Sequence, residues 1–503
     1  MAKTLMIQGT ASSVGKSIMV TALCRIFRQD GYRVAPFKAQ NMALNSFVTK
    51  EGGEIGRSQA VQAEAAGIEP SIHMNPVLLK PEGNSISQVV VLGKVTRKLD
   101  ATQYHDYTPQ LLAVIEGSLN RLRTDYDIVV IEGAGSPAEI NLKEKEIANM
   151  RIAMMANAPV ILVGDIDRGG VFASIVGTLE LLATEERNLI KGLIINKFRG
   201  DVALLKSGLD ILEERTAKPV LGIIPYVREI TIAQEDSVYL DERPNHQANG
   251  NLDVAIIRLP HISNYDDFDP LEAHGCTVRY VTQVAELGKP DLIILPGTKS
   301  TIADLVYLHQ QGLAQTIVSL AASGTPLIGI CGGYQMLGQN IHDPNKVESQ
   351  NGTKPGLGLL NTETTFGKEK TTIQIKAKVT ASNGLMQGLE GQEISGYEIH
   401  MGQTTSHNKI APFLITETPA GEANYPDGAM SSSGLIFGSY IHGLFHNAEF
   451  TRALLNRVRD LKGLSQVNSS PMDKQQQYDR LAEIVRQNLD MPHIYQIALG
   501  KSK

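Results

Sequence analysis

The sequence predicts an α/β protein of two tandem domains, the first a parallel sheet with helices on both faces. Three observations carry that prediction. At 503 residues the chain is too long for one ordinary core. Short apolar runs alternate with amphipathic windows of helical period, the pattern of strands covered on both sides by crossover helices. A polar, turn-rich break ending in 243-RPNHQANGN-251 divides that alternation into two series.

In the first series, strands are expected at 4-TLMIQG-9, 33-RVAPFK-38, 127-DIVVIEG-133, 159-PVILVGD-165, 190-IKGLIINK-197 and 219-PVLGIIP-225, with helical windows at 16–29, 108–124 and 171–186. The first domain is assigned residues 1–230, a linker 231–251, and the second domain 252–503. The second series has strands at 253-DVAIIRLP-260, 278-VRYV-281, 291-DLIILPG-297 and 326-PLIGICGG-333. The runs 372-TIQIKAKV-379 and 434-GLIFGSYIHG-443 have a more antiparallel look, and a last helix near 478–489 closes the second domain.

A net charge of −6 gives no basic field for nucleic acid. No apolar run approaches the ~18 residues of a membrane span. Three scattered cysteines, Cys24, Cys276 and Cys331, suit neither a disulfide framework nor a CxxC metal site. A soluble, cytoplasmic enzyme is the expected class.

The first strand runs into 9-GTASSVGKS-17, a glycine-rich loop that opens a helix. Such a loop turns backbone N–H groups, and the positive end of the helix, toward phosphate oxygens. Gly9, Thr10 and Gly15 would shape the cradle, Lys16 would supply a charge, and the Ser17 hydroxyl would bind Mg²⁺. Glu132 ends another strand, where a carboxylate can also hold Mg²⁺. Asp165 and Asp167 sit at a third strand end. The stretch 36-PFKAQNMALNS-46 offers Lys38, Gln40, Asn41 and Asn45 to an anionic substrate, and Lys80 is a further anion contact to consider.

In the second series, Gly329-Ile330-Cys331-Gly332-Gly333 has the form of a nucleophile elbow with a thiol. The helix start favours thiolate. The Gly332 N–H faces a developing oxyanion, with a second donor expected near Gly297. His442 follows an apolar strand and is the expected base, with His446 its local competitor.

The GTxxxxGK[ST] loop, in which five residues rather than four separate Gly9 from Gly15, resembles that of dethiobiotin synthetase and its relatives, which activate carboxylates with ATP. By the same resemblance, 194-IINKFRGD-201 is the base-recognition corner, with Asn196 and Lys197 as ATP contacts. Residues 251–450 resemble a class I glutamine amidotransferase domain, which releases ammonia from glutamine through a cysteine thioester. One position departs from that family: Leu444 stands where a glutamate usually completes the triad. The whole chain resembles the cobyric acid synthase family through QGTASSVGKS, PFKAQNMALNS, MNPVLLKP, VIEGAGSPAEINL, GDIDRGGVFAS, INKFRGD, RLPHISNYDDFDPL and SGYEIHMGQT. The resemblance implies ATP- and glutamine-dependent amidation of the b, d, e and g carboxylates of adenosylcobyrinic acid a,c-diamide, a corrinoid, with Mg²⁺ as cofactor. Cobyrinic acid a,c-diamide synthase is the neighbouring alternative, and a ParA/MinD-like ATPase switch is one from another class.

Overall fold

The computed structural model describes residues 1–82, 86–227, 252–349, 352–407, 410–468 and 473–500, without the side chain of His105. The expected linker, 231–251, therefore lies outside the described residues. The chain forms two compact units. One comprises Met1–Ala43, Glu54–Asp236 and Asp473–Lys503, the other Leu44–Gly53 and Ser237–Met472.

The first unit is built on a six-stranded sheet in the order Val220–Pro225, Ile190–Phe198, Val160–Asp165, Lys3–Gly9, Ile128–Glu132, Val34–Phe37. Every pairing is parallel, as the continuous apolar runs predict for strands buried on both faces. Lys3–Gly9 lies in the interior of this sheet with Val160–Asp165 on one side and Ile128–Glu132 on the other. Gly9, Glu132 and Asp165 therefore end three adjacent parallel strands, the edge where such sheets bind ligands. The helix expected at 16–29 is found as Lys16–Gln29. That at 108–124 begins earlier, as Ala101–Asp125, because Asp100 caps it and Gln103 closes a capping box.

Two parts of this unit differ from expectation. A four-stranded sheet of Gln40–Met42, Val77–Pro81, Ile86–Val91 and Lys94–Asp100 lies outside the expected strands. The final residues, assigned to the second domain, belong to the first unit. Helix Lys474–Asn488 buries Tyr478, Leu481, Ala482 and Val485, an apolar stripe of helical spacing, in one cluster with Val20, Leu23, Cys24 and Phe27 of helix Lys16–Gln29. Arg25 reaches Asp479 at 2.7 Å, and Arg486 reaches Asp30 at 3.0 Å. Burial of each large apolar side chain, at about 1.5–3 kcal/mol, outweighs these partly exposed pairs in fixing the tail there.

The second unit centres on a sheet ordered Cys276–Val281, Leu252–Ile257, Leu292–Leu295, Leu327–Ile330, Ile436–Ser439, Ala429–Met430. The run at 434–443 corrects the antiparallel reading, since Ile436–Ser439 pairs in parallel with Leu327–Ile330 and only Ala429–Met430 runs antiparallel to it. The 372–379 run does pair antiparallel, as part of Thr362–Val379 against Glu393–Ser406. Among the described residues no helix is long and apolar enough to cross a membrane.

Candidate active site

In the first unit the loop after Lys3–Gly9 is tightly folded. Gly15 sits at φ +102°, and a Cβ there would stand 2.1 Å from Asn196 Nδ2, so only glycine fits. Asn196 donates to the Val14 carbonyl at 2.8 Å, and Lys197 donates to the Ser13 carbonyl at 2.7 Å and to Asp165 at 2.8 Å. Both residues thus buttress the loop from the neighbouring strand. Asp167 pairs with Arg199 and shapes the adjacent turn. Thr10 N–H continues the sheet by donating to the Val163 carbonyl. Lys16 opens the helix and donates to the carbonyls of Ala11 and Gly135, both at 2.9 Å.

Glu132 is the hub of this end of the sheet. It is buried and accepts from Ser17 Oγ at 2.8 Å, Lys38 Nζ at 2.9 Å and Gln62 Nε2 at 2.5 Å. Burial alone would raise its pKa. The Lys38 charge and the hydrogen bonds from Lys38, Gln62 and Ser17 outweigh that and hold the carboxyl below its ordinary value. Ser17 and Glu132 place two oxygen donors side by side, which suits a hard divalent cation. Among the described residues no group of three or more His, Cys, Asp or Glu could enclose a metal. A cation here would complete its shell with phosphate oxygens and water.

The segment expected to offer donors to an anionic substrate is partly a strand. Gln40–Met42 is a strand pairing with Val77–Pro81. Lys38 is spent on Glu132, and the buried Asn41 donates to Gln59 at 3.0 Å. Gln40 is half-buried and accepts from Tyr104 Oη at 2.5 Å. Lys80 forms a buried pair with Glu54 at 2.6 Å. Asn45 lies in the second unit, fully buried, where it accepts from the Tyr265 N–H at 3.2 Å. Tertiary partners thus engage the donors of Lys38 and Asn41.

In the second unit Cys331 stands where strand Leu327–Ile330 meets helix Gly332–Leu337, at φ 51° and ψ −107°. That conformation costs a non-glycine residue on the order of 1–3 kcal/mol, and strain of this kind marks nucleophile elbows. The bend is pinned by the Cys331 N–H donating to the Ser439 carbonyl at 2.8 Å and by Gln335 N–H donating to the Cys331 carbonyl at 3.0 Å. Sγ lies 3.6 Å from the Ile399 carbonyl oxygen, and its interaction with His442 is among the causes that raise the imidazole's pKa. Gly297 leaves room for that imidazole, since a Cβ at this position would come within 2.9 Å of His442 Cε1. Gly332 abuts Thr298, the residue after Gly297, so the two glycines expected at the oxyanion site flank one spot.

The residue that Leu444 displaces is supplied from elsewhere. Leu444 is buried in the core, and Asp267 accepts from His442 Nδ1 at 2.7 Å and from the Gly443 N–H at 2.8 Å. With Nδ1 committed to Asp267, Nε2 is left for the thiol. His442 is fully buried, and burial would lower its pKa. The Asp267 charge and hydrogen bond, with those of Cys331, overcome this and raise it to about 10. His446 faces Asp266, not the thiol. Cysteine, imidazolium and carboxylate in line can attack a carbonyl carbon and protonate an amine leaving group. Sequence reasoning missed Asp267. The paired Asp266-Asp267 just beyond a strand end was the available signal.

Residues 5–238 match the model of the CobQ/CobB/MinD/ParA nucleotide binding domain, and residues 253–450 match that of the CobB/CobQ-like glutamine amidotransferase domain. A cobyric acid synthase of Dehalococcoides mccartyi is 60% identical over 497 residues, covering 99% of each chain. One from Desulforamulus reducens is 52% identical over 509 residues, covering 100% of this chain and 99% of its own. One from Streptococcus sanguinis is 51% identical over 510 residues, covering 100% of both.

Proposed function

Since the chain belongs to the cobyric acid synthase family and is a glutamine-dependent amidoligase, we propose that it converts the b, d, e and g carboxylates of adenosylcobyrinic acid a,c-diamide to amides in successive rounds. Cys331 attacks the amide carbon of glutamine, and the Gly332 N–H and a donor beside Gly297 stabilise the oxyanion. His442 passes its proton to the departing ammonia, and water then hydrolyses the thioester. At the first unit, ATP converts a corrinoid carboxylate to an acyl phosphate, and ammonia displaces the phosphate. The loop at Gly9, Thr10 and Gly15 cradles the phosphates, Lys16 offsets charge on the transferred phosphoryl group, and Asn196 and Lys197 flank the nucleotide. Ser17 and Glu132 would hold Mg²⁺, which neutralises phosphate charge when bound. A thiol nucleophile suits the reducing cytoplasm.

The observation that carries this reading is the strained bend at Cys331 in the same unit as an imidazole held by Asp267 at 2.7 Å. The test is product mass after incubation with ATP, Mg²⁺, glutamine and the a,c-diamide. Four stepwise amide gains are expected. Conversion of cobyrinic acid itself, with the a,c-diamide untouched, would assign the chain to the neighbouring diamide synthase reaction. ATP hydrolysis with no amide formed on either acceptor would point to the ATPase switch.

The Asp267–His442 pair predicts a pH profile. The folded-state value of about 10 lies above the ordinary 6.5. Stabilisation from the charged imidazole is therefore complete below 6.5 and is lost as pH rises toward 10. An Asp267→Asn variant removes the charge that lifts the imidazole. Its alkaline limb of glutamine hydrolysis is expected to move to lower pH, with kcat down about 10²–10⁴-fold. An unmoved limb in a folded variant would remove Asp267 from this role.

A further inference from the structure

In the second unit a short loop joins strand Leu292–Leu295 to helix Thr301–Gln310 and carries Gly297 and Thr298. The loop is laced to His261, Ile262 and Ser263. The Ser263 N–H donates to the Gly297 carbonyl and the Lys299 N–H to the His261 carbonyl, both at 2.9 Å, so Ile262 and Thr298 face each other across an isolated antiparallel bridge. In a pair bonded on either side like this, the two facing residues turn their own N–H and C=O groups away from each other. The Thr298 N–H therefore points away from Ile262, and no acceptor among the described residues meets it. Its nitrogen stands 3.2 Å from where a Cβ on Gly332 would lie, which suits it to be the donor beside Gly297. A single carboxylate holds this loop in place. Asp304, in the first turn of helix Thr301–Gln310, is fully buried. Its Oδ1 accepts from His261 Nδ1 at 2.7 Å, and its Oδ2 accepts from the His261 N–H at 3.2 Å and from the Thr298 hydroxyl. Thr298 Oγ1 in turn accepts from the Ser300 N–H at 3.1 Å. One buried anion thus ties both sides of the bridge to a helix, through bonds of the stronger, charge-assisted kind.

We propose that Asp304 is a positioning residue for glutamine hydrolysis, which through His261 and the Thr298 hydroxyl aims the Thr298 N–H at the oxyanion formed on the Cys331 adduct. The proposal rests on the reading of Cys331 and His442 as the glutaminase centre. The charge that this N–H serves exists only after attack. As the Cys331 sulfur bonds to the amide carbon, the carbonyl π pair moves onto oxygen, and the thiol proton resides on His442. Bound glutamine carries no such charge. Misalignment of the Thr298 N–H therefore weakens the transition state and leaves substrate binding alone.

Two variants test the arrangement. Thr298→Val removes the hydroxyl and keeps the branched shape and the backbone N–H. Asp304→Asn presents an amide NH₂ to a group of donors. Each is compared with the parent enzyme in glutamine hydrolysis, in inhibition by the γ-aldehyde of glutamate, and in amidation driven by added ammonia. The Cys331 thiol adds across the aldehyde C=O to give a hemithioacetal, whose oxygen occupies the oxyanion position. In both variants kcat for glutamine is expected to fall about 10–100-fold, with KM within about two-fold of the parent value. The inhibition constant of the aldehyde should rise by the same factor by which kcat/KM falls. Ammonia-driven amidation should be retained. A misfolded fraction lowers kcat without moving that inhibition constant, so agreement of the two factors separates positioning from general support. Should Asp304→Asn fail to fold, Thr298→Val carries the same test. An aldehyde constant that does not move in Thr298→Val overturns the proposal, as does a loss confined to KM. Loss of ammonia-driven amidation alongside hydrolysis also overturns it. A parent enzyme that neither hydrolyses glutamine nor binds the aldehyde would instead remove the glutaminase reading beneath the proposal.

Discussion

Replacing Cys331 with serine is expected to lower glutamine-driven amidation about 10⁴–10⁶-fold while amidation with added ammonia continues at its original rate. The split follows from the geometry. The sulfur sits on a strained bend between Leu327–Ile330 and Gly332–Leu337 and interacts electrostatically with an imidazole whose Nδ1 is held by Asp267. A serine hydroxyl fits the same bend, so the fold is preserved. It is a far weaker acid than a thiol, and an imidazole already charged by Asp267 has no capacity to take its proton. Glutamine would bind and wait, whereas ammonia from solution bypasses the step. The measurement is amide formation with each nitrogen source in parallel. Equal loss from both sources, in protein that melts at the usual temperature, would sink the division of labour between the two units.

The second large effect concerns the other site. Lys38→Met is expected to cost about 3–5 kcal/mol of stability and to abolish amidation with either nitrogen source. Lys38 and Glu132 are both buried, 2.9 Å apart, and the methionine would leave the carboxylate with the hydrogen bonds of Ser17 and Gln62 but no balancing charge. Combining Lys38→Met with Glu132→Gln should restore most of the stability, since neither residue is then charged, yet leave the enzyme inactive. The pair also has a pH signature. Because the Glu132 carboxyl is held below its ordinary 4.5, its stabilisation is present above that value and drains away as pH falls further. Denaturant midpoints between pH 3 and 7 should converge for parent and double variant at the acid end. Parallel curves would mean that Glu132 is not charged in the folded protein.

How far the sequence disclosed this molecule depended on whether the relevant interaction was local. The parallel strands were legible because burial on both faces leaves uninterrupted apolar runs. Lys16 and Cys331 were legible because a strand–turn–helix junction with glycines is written in consecutive residues. The His442 orienter was not, because Asp267 lies 175 residues from the histidine and replaces a carboxylate expected beside it. The Ile86–Val91 and Lys94–Asp100 hairpin stayed hidden because its turn uses Leu92 and Gly93 at φ 47° and 75°, where asparagine or aspartate would have advertised a tight turn. The polar stretch from Lys38 to Asn45 misled for a related reason. Its composition suggested donors for an anionic ligand, whereas Lys38, Gln40 and Asn41 meet Glu132, Tyr104 and Gln59.

The placement of the C-terminal helices has a consequence for how the molecule is made. Helix Lys474–Asn488 and the helix Met491–Leu499 after it supply part of the wall behind Lys16–Gln29. The nucleotide-handling body is therefore unfinished until residues 474–499 have been translated, whereas every residue of the glutamine-handling body precedes them. Severing the gene between the two would leave each body short of a piece, the ligase without its tail helices and the glutaminase without Leu44–Gly53.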